Sequence, residues 1–192
     1  LIIGDSSKDE KAFDGLDVAV KGSSTEYKPS AAIDLSTTAK VTENYQLFLD
    51  QLDEFLMGLD GRPDFIGGNL KLIAKIRACA RRAGMYQTTK NEFGQQVESY
   101  GDIPLVDFGA KSGSNEPIVA TDKSTGETSL YAARIALDGF HAVSPSGALP
   151  VKQWLPDFTK AGAVKKGEVE MLAAAALKAT KAAGIMRKIK VQ

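Results

Sequence analysis

Between residues 42 and 59, apolar side chains recur at steps of three and four. Phe48, Leu52, Phe55 and Leu59 form a stripe, and Leu49 and Leu56 widen it. That period lets an α-helix turn one face to a core. Thr42 stands where an N-cap would, Glu43 follows in the first turn, and Gly61 and Pro63 end the run. Asp64 to Gly68 then reads as a short strand. Asn69 is placed to cap a second helix over 70–83, closed by Gly84. Its apolar side is Leu72, Ile73, Ile76 and Ala80, while Lys71, Lys75, Arg77, Arg81 and Arg82 line much of the rest. This basic face reads either as a solvated surface, with Arg81 and Arg82 at the negative helix end, or as a contact with a neighbouring subunit or DNA.

The remaining chain reads mainly as strands and turns. Residues 4–41 give extended segments and loops, with a tight turn at Phe13-Asp14-Gly15-Leu16 where Gly15 supplies backbone freedom. Gln95 to Tyr100 and Ile103 to Asp107 form two strands joined at Gly101-Asp102. Pro104 places the second at an edge or at its start. Residues 108–128 are a polar, Gly-rich surface loop. Strands are expected at Ser129 to Ile135, Phe140 to Val143 and Val151 to Trp154, with a turn region from Ser144 to Pro150. Glu168 to Ala183 has high helix propensity, although Val169, Met171 and the residues up to Leu177 also suit a strand. Ile185 to Val191 reads as a final strand whose apolar alternation Arg187 interrupts.

Composition narrows the function. The 192 residues carry 24 basic and 24 acidic side chains, so no global positive field draws the chain to nucleic acid. One cysteine, Cys79, cannot form an intrachain disulfide, which is the usage of a reducing compartment. One Cys and one His cannot supply a four-ligand zinc or iron–sulfur set. No stretch approaches the ~20 apolar residues of a membrane span. The run Leu1-Ile2-Ile3 is too short for a signal-peptide core, and the missing initiator Met suggests a truncated polypeptide.

No catalytic constellation stands out. His141, in Phe140-His141-Ala142-Val143, reads as a structural histidine, Cys79 as packing and Trp154 as a packing anchor. Gly67-Gly68-Asn69 lies between strand and helix as phosphate loops do, yet it lacks both the spaced glycines and the Lys-Ser/Thr of the known fingerprints. Glu98, Asp102 and Asp107 flank one turn without calcium-loop spacing. The reading is therefore not an enzyme, with no cofactor, no metal and no catalytic residue.

The order of features resembles one family. Leu1-Ile2-Ile3-Gly4-Asp5 leads into Phe13-Asp14-Gly15-Leu16, then the amphipathic helix ending at Asp60-Gly61-Arg62-Pro63-Asp64. Phe65-Ile66, Asn69 and the Arg-rich helix follow. Next come Glu92-Phe93-Gly94, Val97 to Tyr100, Gly101-Asp102-Ile103-Pro104-Leu105-Val106, Ser129-Leu130-Tyr131-Ala132, Gly139-Phe140, and Glu168-Val169-Glu170-Met171 through Ala182-Ala183-Gly184-Ile185. This series is similar to the prophage-type branch of tailed-bacteriophage major capsid proteins, which have the Hong Kong 97 phage fold. The family's N-terminal arm, extended loop and spine helix would precede Leu1 and are absent.

The resemblance implies an α+β, two-lobed, N-terminally truncated capsid fold. Residues 1–16 and 136–176 would form a peripheral lobe with long antiparallel strands. Residues 17–135 and 177–192 would form an axial lobe with a sheet flanked by helices. It implies strand rather than helix for roughly Glu168 to Leu177. It also implies a major head protein located in the virion and assembled in the bacterial host cytoplasm. Its partners would be copies of itself in pentamers and hexamers, and packaged double-stranded DNA bound without sequence specificity, with no membrane. Arg77, Arg81 and Asp102 are the expected intersubunit contacts. Two alternatives stand beside it: an encapsulin-like compartment shell, which shares the fold, and a small α/β ligand-binding protein or enzyme using Gly67-Gly68-Asn69.

Overall fold

A computed structural model describes the chain except for Lys11, Tyr86, residues 91–93, Gln95, Ser146, Ala148, Lys160 and Ala161. The motif Glu92-Phe93-Gly94 and the start of the strand expected from Gln95 fall in part outside the described residues.

The long amphipathic helix, α2, runs from Thr38 to Met57, so it starts a turn earlier than expected. Thr37 is its cap, its side chain accepting from the Lys40 N–H at 3.2 Å. Val41 is buried and extends the stripe backward, which moves the start to Thr37. Thr42 instead sits inside the helix, donating to the Thr38 carbonyl at 3.0 Å. Phe48, Leu49, Leu52 and Phe55 are buried as the periodicity requires. After the short strand β3 (Phe65–Gly68), α3 (Leu70–Arg82) is capped by Asn69 as expected. A five-residue helix, α1 (Leu16–Val20), was not legible in the sequence. Gly15 precedes it with φ −87°, so left-handed freedom is not its role. A Cβ there would press on the backbone of Ile2 and Gly4, and the Gly15 N–H donates to the Gly4 carbonyl at 2.9 Å. The residue is small because two chain segments touch.

Eight strands form one mixed sheet. Beside β3 these are β1 (Glu26–Tyr27), β2 (Ile33–Asp34), β4 (Gln87–Lys90), β5 (Gln96–Tyr100), β6 (Ile103–Asp107), β7 (Glu127–Ala133) and β12 (Ala183–Lys190). Their order is β1-β12-β7-β3-β6-β5-β4, with β2 also on β12. β3 runs parallel to β6 and antiparallel to β7. Pro104 lies near the start of β6, but that strand sits between β3 and β5, not at an edge. Gly101 and Asp102 join β5 to β6 with positive φ at both residues, the geometry of a tight two-residue hairpin loop.

Both faces of this sheet are covered. On one, Ile66, Leu130, Ala132, Met186 and Ile189 meet the buried sides of α2 and α3. On the other, Tyr131, Ala133, Ala183 and Ile185 meet Leu16 and Val20 of α1, Val119 and Phe140. Along β12 a bulge falls between Met186 and Ile189, where Lys188 has φ +57°. The extra residue flips the side-chain parity. Ile185 therefore faces one side while Ile189 and Val191 face the other, contrary to the single alternating set expected from the sequence.

Four further strands stand apart from the large sheet. β8 (Phe140–Val143) pairs with β11 (Ala174–Leu177), and β9 (Val151–Trp154) with β10 (Glu168–Met171), all antiparallel. The Leu172 N–H donates to the Pro150 carbonyl at 3.0 Å and links the two pairs into one long ribbon. Glu168 to Leu177 is thus strand, as the family resemblance implied, and helix propensity is overridden. Across the ribbon's outer half every residue of β9 and β10 is exposed.

Candidate functional site

The three expected contact residues do not gather into one site. Arg77, on α3, forms an ion pair with Glu98 of β5. Asp102, in the β5–β6 turn, accepts a hydrogen bond on its carbonyl from the Arg62 guanidinium. Arg81 lies exposed in the last turn of α3. Other cations of the basic helix face also hold the chain to itself. Lys75 Nζ donates to the Ser36 carbonyl at 2.7 Å, Arg82 Nε to Thr42 Oγ1 at 3.0 Å, and Lys71 Nζ to the Gln192 side chain. Tying α3 to its neighbours accounts for much of this face.

The Gly67-Gly68-Asn69 turn is also explained by packing. A Cβ on Gly67 would enter the Phe108 ring, and one on Gly68 would press on Leu72. Asn69, 2% exposed, accepts from the Leu72 N–H at 2.8 Å. Its Nδ2 donates to the Val119 carbonyl at 3.2 Å, Thr121 Oγ1 at 3.1 Å and Thr128 Oγ1 at 2.9 Å. One side chain therefore caps α3 and fastens the 108–128 loop to β7. An open groove of about 640 Å³ lies beside the turn, with Lys71, Lys111, Lys123, Asp107 and Glu116 on its rim. The polar groups of Asn69 are consumed by the fold and none is left for a ligand.

His141 is half-buried, its Nδ1 3.3 Å from the Gly139 carbonyl. Cys79 is fully buried, and burial pushes its thiol up to about 11, which makes it a poor nucleophile. Among the described residues, no three His, Cys, Asp or Glu side chains converge as metal ligands, and no helix is long and apolar enough to cross a membrane.

The conspicuous surface lies on the ribbon. Trp154, expected as a packing anchor, is 50% exposed, because among the described residues no layer covers the strand that carries it. The register pairs Val151 with Met171 and Gln153 with Val169, so these four share a face. Lys152 with Glu170 and Trp154 with Glu168 share the other. One face is thus uncharged and largely apolar, with Val169 and Met171 about 70% exposed, at 71% and 68%. Leu149, Leu155, Phe158 and Val164, in the segments that flank β9 in the chain, are each at least 75% exposed. A two-stranded ribbon gains little stability in water without a covering layer, and apolar patches of this kind mark contact surfaces. The alternation in Glu168-Val169-Glu170-Met171 was visible in the sequence; that its apolar side would lie uncovered was not.

The chain matches the electron cryomicroscopy structure of the holo-SrpI encapsulin complex from Synechococcus elongatus PCC 7942, with a TM-score of 0.58 and 16% sequence identity. The chain has a capsid-like fold. The match covers 86% of this chain and 53% of the encapsulin chain, so this chain spans about half the length of the protein it matches. No family model matches the sequence, and no curated protein matches it at a significant level. The shared fold supports the shell-type architecture implied by the family resemblance, without the tailed-phage branch as such.

Proposed function

We propose that this chain is a structural subunit that assembles with copies of itself into a closed shell. The observation that carries the reading is the uncovered apolar ribbon face of Val151, Val169 and Met171, on a chain whose fold is that of a shell protein. Such a face gains free energy by leaving water, and contact with other copies removes it from water in every subunit at once. Many modest contacts of this kind, summed over a shell, give a stable particle. The chain's balanced charge, 24 basic against 24 acidic residues, lets copies crowd without strong repulsion.

In this reading, residues 1–16 and 136–176 form the peripheral lobe and residues 17–135 and 177–192 the axial lobe. The shell is a tailed-phage head enclosing DNA, and the ordered motif series from Gly4-Asp5 to Gly184-Ile185 favours it. The encapsulin match favours the second reading, a protein compartment with the same subunit architecture. Genome neighbours separate the two: portal and terminase genes accompany a phage head, and a cargo gene accompanies a compartment. Self-assembly is tested by replacing Val169 and Met171 with Glu. The double variant folds normally and loses particle formation if the ribbon face is a contact. Unchanged particles would remove this support.

A further inference from the structure

We infer that β9 is the edge through which two copies meet, pairing antiparallel about a two-fold axis at Gln153. The inference rests on the self-association proposed above and names the contact. β9 hydrogen-bonds to β10 on one side, and no strand lies on its other side among the described residues. All four of its residues are exposed. One bond fixes the backbone parity of the ribbon. The Leu172 N–H donates to the Pro150 carbonyl at 3.0 Å, in the register that also pairs Lys152 with Glu170 and Trp154 with Glu168. Antiparallel ladders alternate, so Lys152 and Trp154 bond inward to β10, while Val151 and Gln153 turn their N–H and C=O groups to the open side. Leu155 precedes Pro156, which keeps it extended, so the edge continues for one more residue. Open edges of this kind accept another strand.

The side chains choose the occupant and the register. With Gln153 opposite its own copy, Lys152 of each copy lies across from Trp154 of the other, and Val151 across from Leu155, each twice by symmetry. Lys152 and Trp154 share one face of the strand, and Val151, Gln153 and Leu155 the other, so every pair falls on a common face. An ammonium against an indole ring is attracted to it. The apolar pair takes from water Val151 and Leu155, which are 47% and 76% exposed in a single copy. An axis at Lys152, or a parallel pairing in register, sets Lys152 against Lys152 instead. An axis at Trp154 loses both matches, with Lys152 opposite Pro156 and Val151 opposite Asp157. On the other edge of the ribbon, an axis at Glu168, Val169 or Glu170 sets carboxylates opposite one another, which disfavours β10. The β9 edge is thus complementary to itself in one register, which fits a second copy of this chain. The product is a four-stranded sheet in the order β10-β9-β9-β10, which meets the need of a lone ribbon for more strands. Its apolar side carries Val151, Leu155, Val169 and Met171 from both copies. The two-fold closes the contact on itself.

Cysteine crosslinking tests the register. Gln153→Cys is made in the complete protein, with Lys152→Cys and Val169→Cys as exposed controls, and all three are oxidised under the same conditions. Cys79 is fully buried and stays out of the reaction. The two-fold sets position 153 of the two copies about 5.5 Å apart at Cα, a span that a disulfide bridges. Gln153→Cys is expected to form disulfide-linked dimers roughly tenfold faster than either control, because its thiols are held together rather than meeting by collision. Trp154→Ala is expected to weaken self-association roughly tenfold, because it removes two symmetric cation–π contacts. Self-association of the unoxidised proteins is followed by sedimentation across concentration, and folding by circular dichroism. Gln153→Cys that crosslinks no faster than the controls, or Trp154→Ala that associates like the parent, overturns the β9 pairing and leaves the assembly reading standing. A parent that never self-associates overturns both.

Discussion

Arg187 donates from Nη1 to the Asp17 carboxylate at 2.7 Å, joining residues 170 positions apart in the chain. Its Nε donates to Glu26 at 2.9 Å, and Asp17 also accepts from the Tyr131 hydroxyl at 2.8 Å. One guanidinium in the β12 bulge thereby ties α1 to the sheet and to its edge strand β1. The bulge lets Arg187 reach this position without burying it in either apolar layer.

Removing that guanidinium leaves the Glu26 side chain, only 4% exposed, with Lys28 and the Gly22 N–H as its remaining partners, and takes one partner from Asp17. Arg187→Ala is expected to lower unfolding free energy by about 2 kcal/mol in urea titrations, the loss of charge-assisted hydrogen bonds to carboxylates that keep other partners. Arg187→Lys recovers only part, because an ammonium cannot fork to both carboxylates. A midpoint unchanged in Arg187→Ala would mean the node is incidental.

The same node sets an acid limit. Burial alone would raise the Glu26 pKa, but hydrogen bonds from Lys28, the Gly22 N–H and Arg187 outweigh it and bring the group from 4.5 down to about 2. A depressed folded pKa gives stability that is fully present above the unfolded value and is lost as pH falls through the folded one. Thermal midpoints should therefore decline between pH 5 and pH 2, across the window from 4.5 to about 2. In Glu26→Gln the decline should be shallower.

Asn69 performs two tasks with one side chain. Asn69→Ala should cost about 2 kcal/mol, from the lost cap and the unpaired groups of the 108–128 loop. Asn69→Asp keeps the cap acceptor but turns an acceptor oxygen toward the Val119 carbonyl. It should be no more stable than Asn69→Ala. An Asp variant as stable as the parent would show that the cap is the whole role.

Gly67 exists to admit the Phe108 ring. Gly67→Ala should destabilise by about 1–3 kcal/mol through overpacking. Combined with Phe108→Leu it should cost less than the two separate effects added together, a coupling measurable by a double-mutant cycle.

The core was largely legible in the sequence. The three-four stripe of Phe48, Leu52 and Phe55 and the Asn69 cap fixed both large helices, because burial periodicity and capping are local signals. The N-terminal edge of α2 lies a turn before the stripe that starts at Phe48 suggests, because Val41 is also on the buried face. α1 and the two-residue strands β1 and β2 are too short to show a period. Glu168 to Leu177 favours helix by local propensity, and only its pairing with 140–154 makes it strand. Arg77 pairs with Glu98 and the Asp102 carbonyl accepts from Arg62, partners that lie 21 and 40 positions away and that the local charge pattern does not show. The exposed ribbon face depends on which layer is absent above it, and no local pattern encodes that.

Sedimentation velocity of the complete protein over a range of concentration and salt, with electron microscopy of the same samples, tests the assembly claim most directly. The account predicts fast-sedimenting species seen as rings or closed particles. A strictly monomeric protein under every condition would contradict it.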